Sequence, residues 1–249
     1  MLAADVHAYL RSMAGADAPR SGPFVIRFDE HDAAPPFNYA IPDDDIAPSA
    51  EDIAGLVAAF RERERTPRFE YVPQASPKVE RALLDAGFVQ EGRFPLLVCP
   101  VGEVVAAQID GDAEITLVTE DPELWGVARV MNTAFGAPEA TEHDVARLRR
   151  ALDGGGLVAA AVDPATGDIV GGGQLGKPHH GVAEVAGIAV LPSHRRRGLA
   201  GAVTALLTRA GVGAGVTTPF LTPADDAASR VYARVGYRKV GEALFISLP

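Results

Sequence analysis

Three arginines and two glycines within seven residues, Arg195-Arg196-Arg197-Gly198-Leu199-Ala200-Gly201, form the part of this sequence best suited to chemistry. The apolar run Ile188-Ala189-Val190 before them predicts the end of a buried strand, and Pro192 stops it. After them, Leu199, Val203, Leu206 and Leu207 recur at the spacing of one helix face. The first N–H groups of such a helix have no intrahelical partner and lie at the positive end of its dipole. Glycine lets a ligand approach the backbone closely, so strand, basic turn and helix start together suit a phosphate or pyrophosphate. A solvated charged turn is the plainer reading of the same residues.

The elements that must position this turn are legible on both sides of it. Upstream, residues 113–118 read as a strand, 122–135 and 141–152 as amphipathic helices, 157–162 and 168–175 as a hairpin around Pro164-Ala165-Thr166-Gly167, and 183–190 as the next strand. Downstream come a strand at 219–223, a helix at 224–235 closed by Gly236-Tyr237, and a last strand near 244–247. The first hundred residues give a short helix at 5–13, a strand at 24–28, a Pro-rich acidic segment at 34–50 and a capped helix from Ser49. A strand at 68–73, a helix at 76–86 and a strand at 93–98 follow. Residues 100–112 read as a linker. Strand-Pro, helix, Gly-aromatic, strand thus occurs twice, which predicts an internal duplication.

Composition narrows the class. With 47% hydrophobic and 22% charged residues over 249 positions, the chain is an ordinary globular one. A net charge of −10 argues against a protein that reads nucleic-acid phosphates over a broad surface. One cysteine, Cys99, in the apolar run Leu96-Leu97-Val98-Cys99-Pro100, excludes an intramolecular disulfide framework and reads as a packed thiol. His143 with Glu142 and Asp144 is not spaced like a ligand set, so no metal is expected. No signal peptide or membrane-length apolar run is visible, and a cytoplasmic monomer or homodimer is the expectation.

Arg195-x-x-Gly198-x-Ala200 resembles the (Q/R)-x-x-G-x-(G/A) signature of GNAT-type (GCN5-related) N-acetyltransferases, and Val190-x-Pro192 precedes it as in that family. Asp225-x-x-Ala228-x-x-x-Tyr232-x-x-x-Gly236-Tyr237 resembles the family's N-x-x-A-x-x-x-Y-x-x-x-G-F. The resemblance implies the GNAT fold, an α/β (α+β) arrangement with a central mixed, mostly antiparallel sheet flanked by helices, here as two pseudo-repeated units. It implies acetyl-CoA as co-substrate and acyl transfer to the primary amine of a small molecule. Ile188, Ala189 and Val190 would meet the donor along the strand edge. Main-chain N–H groups of Arg196, Arg197, Gly198, Leu199, Ala200 and Gly201, with the charge of Arg195, would hold the pyrophosphate. Tyr232 matches the tyrosine that protonates the departing thiolate, and Asp225 stands where the family often has asparagine, with helix capping as its other reading.

The base is less defined. Relatives that acetylate peptide N-termini carry glutamate where this chain has Phe220, which argues against that substrate class. Glu184, on the strand leading to Val190, could take the proton, as could His179 or His180, while His194 would flank the phosphates. Trp125 reads first as a core anchor and otherwise as acceptor wall. The expected division is a degenerate GNAT-like unit at residues 1–105 and a catalytic domain at 106–249. In the first, Asp43-Asp44-Asp45 stands where the second has its Arg-Gly turn, and Leu83 stands where the second has Tyr232. Carboxylates there would repel a pyrophosphate. A non-catalytic acyl-CoA sensor is the alternative.

Overall fold

The computed structural model describes residues 2–249, which fall into two compact units, 2–96 with Lys239–Pro249, and Leu97–Arg238. In the first unit the chain forms α1 (Leu2–Met13), β1 (Arg20–Ser21), β2 (Phe24–Arg27), β3 (Tyr39–Pro42), α2 (Ala50–Arg61), β4 (Arg68–Tyr71), α3 (Val79–Asp85) and β5 (Val89–Val98). The C-terminal strand β11 (Arg238–Ser247) joins them, in the order β1-β2-β3-β4-β11-β5. The β1–β2, β2–β3 and β4–β11 pairs are antiparallel, and between β3 and β4 Ala40 faces Phe69 in parallel.

Local chemistry explains these elements. Ser49 and Asp52 cap α2 reciprocally, Ser49 Oγ accepting from Asp52 N–H and the Asp52 carboxylate from Ser49 N–H, as a capping box requires. Ile53, Leu56 and Phe60 then give α2 its buried stripe, and the strand residues Phe24, Ile41 and Phe69 are likewise in the core. Phe69 stacks edge-on to Phe24 at 5.1 Å and to Phe88 at 5.7 Å. Strand β3 lies inside what the sequence reads as a Pro-rich acidic segment. All four of its residues are buried, so it has none of the alternation that marks a half-exposed strand. The acidic triplet that follows β3 is engaged within the unit: Arg11 forks onto Asp44 at 2.5 and 3.0 Å, and Arg20 pairs with Asp43.

The second unit contains β6 (Glu114–Leu117), α4 (Asp121–Phe135), α5 (Glu142–Asp153), β7 (Leu157–Val162), β8 (Ile169–Leu175), β9 (Val182–Val190), α6 (Leu199–Ala210), β10 (Thr218–Leu221) and α7 (Asp226–Val235). Its strand order is β10-β9-β8-β7-β6, and the last two residues of β5 extend it, Leu97 facing Leu221 and Val98 facing Phe220. Only β9 and β10 run parallel, so the pairing is mixed and mostly antiparallel, as expected. Helices cover both faces: Gly172 of β8 lies under Val127 of α4, whereas Leu175, on the opposite face, meets Gly211 at the end of α6. Under α4 and α5, Leu124, Val127, Val145, Leu148, Val158 and Ala160 form one apolar cluster. Trp125 is outside it. At 41% exposure it is no core anchor, because the buried stripe of α4 runs through Leu124, Val127, Ala128 and Val130 and leaves Trp125 on the outer side. Among the described residues, no helix is long and apolar enough to cross a membrane.

Candidate functional site

Strands β9 and β10 pair over three positions, ending at Glu184 opposite Phe220. Beyond them β9 runs six residues further, to Val190, with no β10 partner. Along this free stretch a β-bulge interrupts the pairing with β8: Gly172 faces Ala189 and Gln174 faces Ala186, so Gly173 opposes both Gly187 and Ile188. Gly187 takes φ +65°, a backbone conformation that favours glycine, and a Cβ there would have to displace the flexible end of Met131. The bulge re-aims the backbone of Ile188, Ala189 and Val190 at the strand edge that would meet an extended ligand.

The basic turn follows directly. Arg195 folds back, its Nε donating to Val190 O at 3.2 Å. Arg196 adopts φ +66° and Gly198 φ +80°, both left-handed. The first helical bond of α6 runs from Ala202 N–H to Gly198 O at 3.0 Å. The amides of Leu199, Ala200 and Gly201 therefore precede the helical ladder at the positive end of the α6 dipole. Arg195, Arg196, Arg197 and Gly198 are exposed, while Leu199 anchors the turn at 2% exposure. Amides ahead of the helical ladder beside three guanidinium groups are a combination that favours an anion.

The segment read as a linker is packed onto this turn. Asp110 N–H donates to Arg197 O at 3.0 Å, and Val105 N–H donates to Val235 O at 2.9 Å. The carbonyl of Gln108 lies 2.1 Å from where a Cβ of Gly198 would stand, and Ala107 Cβ lies 3.2 Å from that of Gly201. Residues 103–110 are thus a strap across the start of α6 and the end of α7. Asp110, Asp112, Asp163, His194 and Arg197 line a small cavity of about 30 Å³ beneath it. There His194 Nε2 is 3.4 Å from Asp163, whose carboxyl is held below the usual range by the Ala165 N–H and by His194. Glycines at positions 198 and 201 were the available signal for this close approach, but the sequence does not say which backbone approaches.

The remaining candidates fall on the elements expected of them. Tyr232 is half-buried on α7, edge-on to Tyr237 at 6.3 Å. Burial, with the nearby charge of Asp225, pushes its phenol up to about 12. Asp225 caps α7, its Oδ1 accepting from Ala228 N–H at 2.7 Å, the helix-capping role that the sequence also allowed. Glu184 is half-buried on β9, beside the fully buried Phe220. His179 and His180 form the tight turn before β9, rings 4.3 Å apart, and burial lowers the pKa of His179. Cys99 is buried, its thiol pushed up by that burial and directed at Pro100 O.

One residue was not singled out from the sequence. Gln174 stands opposite Ala186 on β8, and its side-chain oxygen is buried with no hydrogen-bond partner. Opposed residues share a face, so by alternation along β9 Gln174 and Glu184 lie on the same face as Gly172, under α4. A single amide in the run Ile169-Val170-Gly171-Gly172-Gly173-Gln174-Leu175 was the signal.

A family model described as the acetyltransferase (GNAT) family matches residues 100–237. A GCN5-related N-acetyltransferase from Kribbella flavida superposes with a TM-score of 0.81 at 23% identity, over 100% of this chain and 96% of that one. A tandem GNAT protein from the clavulanic acid biosynthesis pathway gives 0.66 at 16% identity, over 97% and 86%. A GCN5-related N-acetyltransferase from Sphaerobacter thermophilus gives 0.64 at 15% identity, over 84% and 71%. At these identities the likeness is one of fold. No curated protein matches the sequence.

Proposed function

Because the chain belongs to the GNAT acetyltransferase family, we propose that its second unit transfers an acetyl group from acetyl-CoA to the primary amine of a small molecule. The observation that carries this reading is the free edge of β9 leading, through a bulge, into the bare amides at the start of α6. In this reading Ile188, Ala189 and Val190 receive the donor's thioester end. Arg195, Arg196, Arg197, Gly198, Leu199, Ala200 and Gly201 hold its pyrophosphate, and Asp225 borders it from α7. The backbone N–H near Val190 polarises the thioester carbonyl. The neutral amine adds to the carbonyl carbon, the C–S bond breaks, and Tyr232 gives its proton to the departing sulfur. Glu184 takes the proton lost by the amine, directly or through water. No metal takes part. The protein acts in the cytoplasm as a monomer or homodimer, without nucleic acid or membrane.

The first unit, proposed as residues 1–105 against a catalytic 106–249, is read as a degenerate copy. Its β3–β4 parallel pair and capped α2 follow the same plan as β9, α6 and β10, but Asp43, Asp44 and Asp45 occupy the turn. The capping role of Asp225 and the apolar Phe220 favour the second reading, an acyl-CoA sensor without turnover. Calorimetry with acetyl-CoA and CoA, followed by thiol release over a panel of amines, tests both. Binding with release is expected. Binding without release favours the sensor, and absence of binding removes both.

A further inference from the structure

The first unit holds a cavity of about 650 Å³ at the C-terminal end of α2, the opposite end of that helix from Asp43, Asp44 and Asp45. Its walls include Ile26, Phe28, Asp17, Glu30, Arg63 and Arg65. The volume lies within the usual range for sites that enclose a small organic ligand.

The two arginines are held in an unusual way. Arg65 donates from Nη1 to Arg63 O at 3.0 Å and from Nη2 to Asp29 O at 3.3 Å, and its buried Nε has no partner. Arg63 donates to Ala59 O at 3.3 Å and lays its guanidinium over the Phe28 ring at 4.7 Å. Among the described residues neither makes an ion pair with a carboxylate, whereas Arg11, Arg20, Arg68 and Arg93 in the same unit each do. Two positive charges therefore stand together at one cavity, fixed by main-chain carbonyls and an aromatic face rather than by an ion pair.

The backbone that presents them is strained. Helix α2 closes with Arg65 N–H on Phe60 O and Glu64 N–H on Arg61 O, a closure whose left-handed residue is ordinarily glycine. Here it is Glu64, at φ +54°. Residues kept in such a conformation without glycine recur where a site needs its neighbours aimed. The same lining holds three acidic residues, Asp17, Asp29 and Glu30, and among the described residues Asp17 and Glu30 make no ion pair with a cation. A simple anion would meet their repulsion; a molecule carrying both charges would meet neither mismatch.

We propose that this cavity binds a small zwitterion of the α-amino-acid class, its carboxylate on Arg65 and Arg63, its ammonium toward Asp17 and Glu30, and its apolar part against Ile26 and Phe28. The site is separate from the acyl-transfer reading and does not depend on it.

Calorimetry of the full chain with individual amino acids tests it, with acetate, inorganic phosphate and methylamine as single-charge probes. At least one amino acid should bind saturably, and at least tenfold more tightly than acetate, phosphate or methylamine. Arg65→Gln should weaken that binding at least tenfold while leaving the circular dichroism spectrum unchanged, and it separates this cavity from any amine site in the second unit. Should Arg65→Gln fail to fold, the exposed Arg63→Gln serves in its place. No binding by any amino acid, equal binding of acetate or phosphate, or unaltered binding in the folded arginine variants overturns the proposal.

Discussion

Tyr232 and Gly198 show how single residues set the terms of the proposed reaction. Burial disfavours the Tyr232 phenolate and pushes the group up to about 12, so the phenol keeps its proton through the neutral and moderately alkaline range. Turnover should then show no descending limb from its donor below about pH 10, and Tyr232→Phe should lower kcat roughly 100-fold, in the range ordinary for a lost general acid. Steady-state pH profiles of the two proteins check this, and an unchanged profile and rate in the variant would remove Tyr232 from the chemistry. Gly198→Ala forces an L residue into φ +80° against the Gln108 carbonyl. The conformational cost alone is about 1–2 kcal/mol. Thermal unfolding should show that loss and calorimetry a weaker hold on CoA, because strap and turn must shift together. The candidate turn was legible because glycine and arginine at fixed spacing name a backbone need and a charge. Gln174 was not, because an orphaned amide becomes visible only once its neighbours are placed. Trp125 was misread because hydrophobic type says nothing of which helix face it joins.

At the scale of elements, two titrating contacts hold α1 to the strands beside it. His7 is fully buried, its Nε2–H donating to Pro42 O at 2.8 Å and its Nδ1 accepting from Val72 N–H at 3.3 Å, an arrangement that needs the neutral ring. Burial lowers its pKa from the ordinary 6.5. The unfolded chain therefore binds a proton before the folded one, and stability is present above about pH 6.5 and is lost as pH falls toward the depressed folded value. Asp44, held below the usual carboxylate range by Arg11, adds a second loss that begins below about pH 4. Chemical denaturation from pH 8 to 3 should show both steps, and His7→Gln should abolish the upper one alone. Elsewhere on this scale, α2, α4 and α5 were readable from 3.6-residue stripes, since each has one buried face, whereas α6 is buried nearly all round and was readable from the glycine turn before it and its leucine spacing. Strand β3 was not, because burial on both sides erases its period, and the strap was not, because its packing is made by backbone groups that carry no side-chain pattern.

The whole molecule departs from a simple halving of the chain in a way that bears on the proposed division at residue 105. Leu97 and Val98 close β5 and pair with Leu221 and Phe220 of β10. Strand β11 follows α7 directly, yet pairs Leu244 with Tyr71 and Ser247 with Arg68 of β4. A fragment of residues 106–249 therefore keeps the basic turn, Tyr232 and Glu184 but loses the strand that covers one edge of β10. It also carries β11 without β4, leaving Ala243, Leu244 and Ile246, each at most 3% exposed in the full chain, without their partner strand. Such unpaired apolar edges template association. Expressed alone, the fragment should aggregate or unfold without a cooperative transition, whereas the full chain should unfold cooperatively. Light scattering and calorimetric melting distinguish the outcomes. A monomeric, cooperatively folded fragment that still binds CoA would show that the first unit is dispensable and that the strand exchange contributes little. An aggregated fragment would show that β11 needs β4 as its partner.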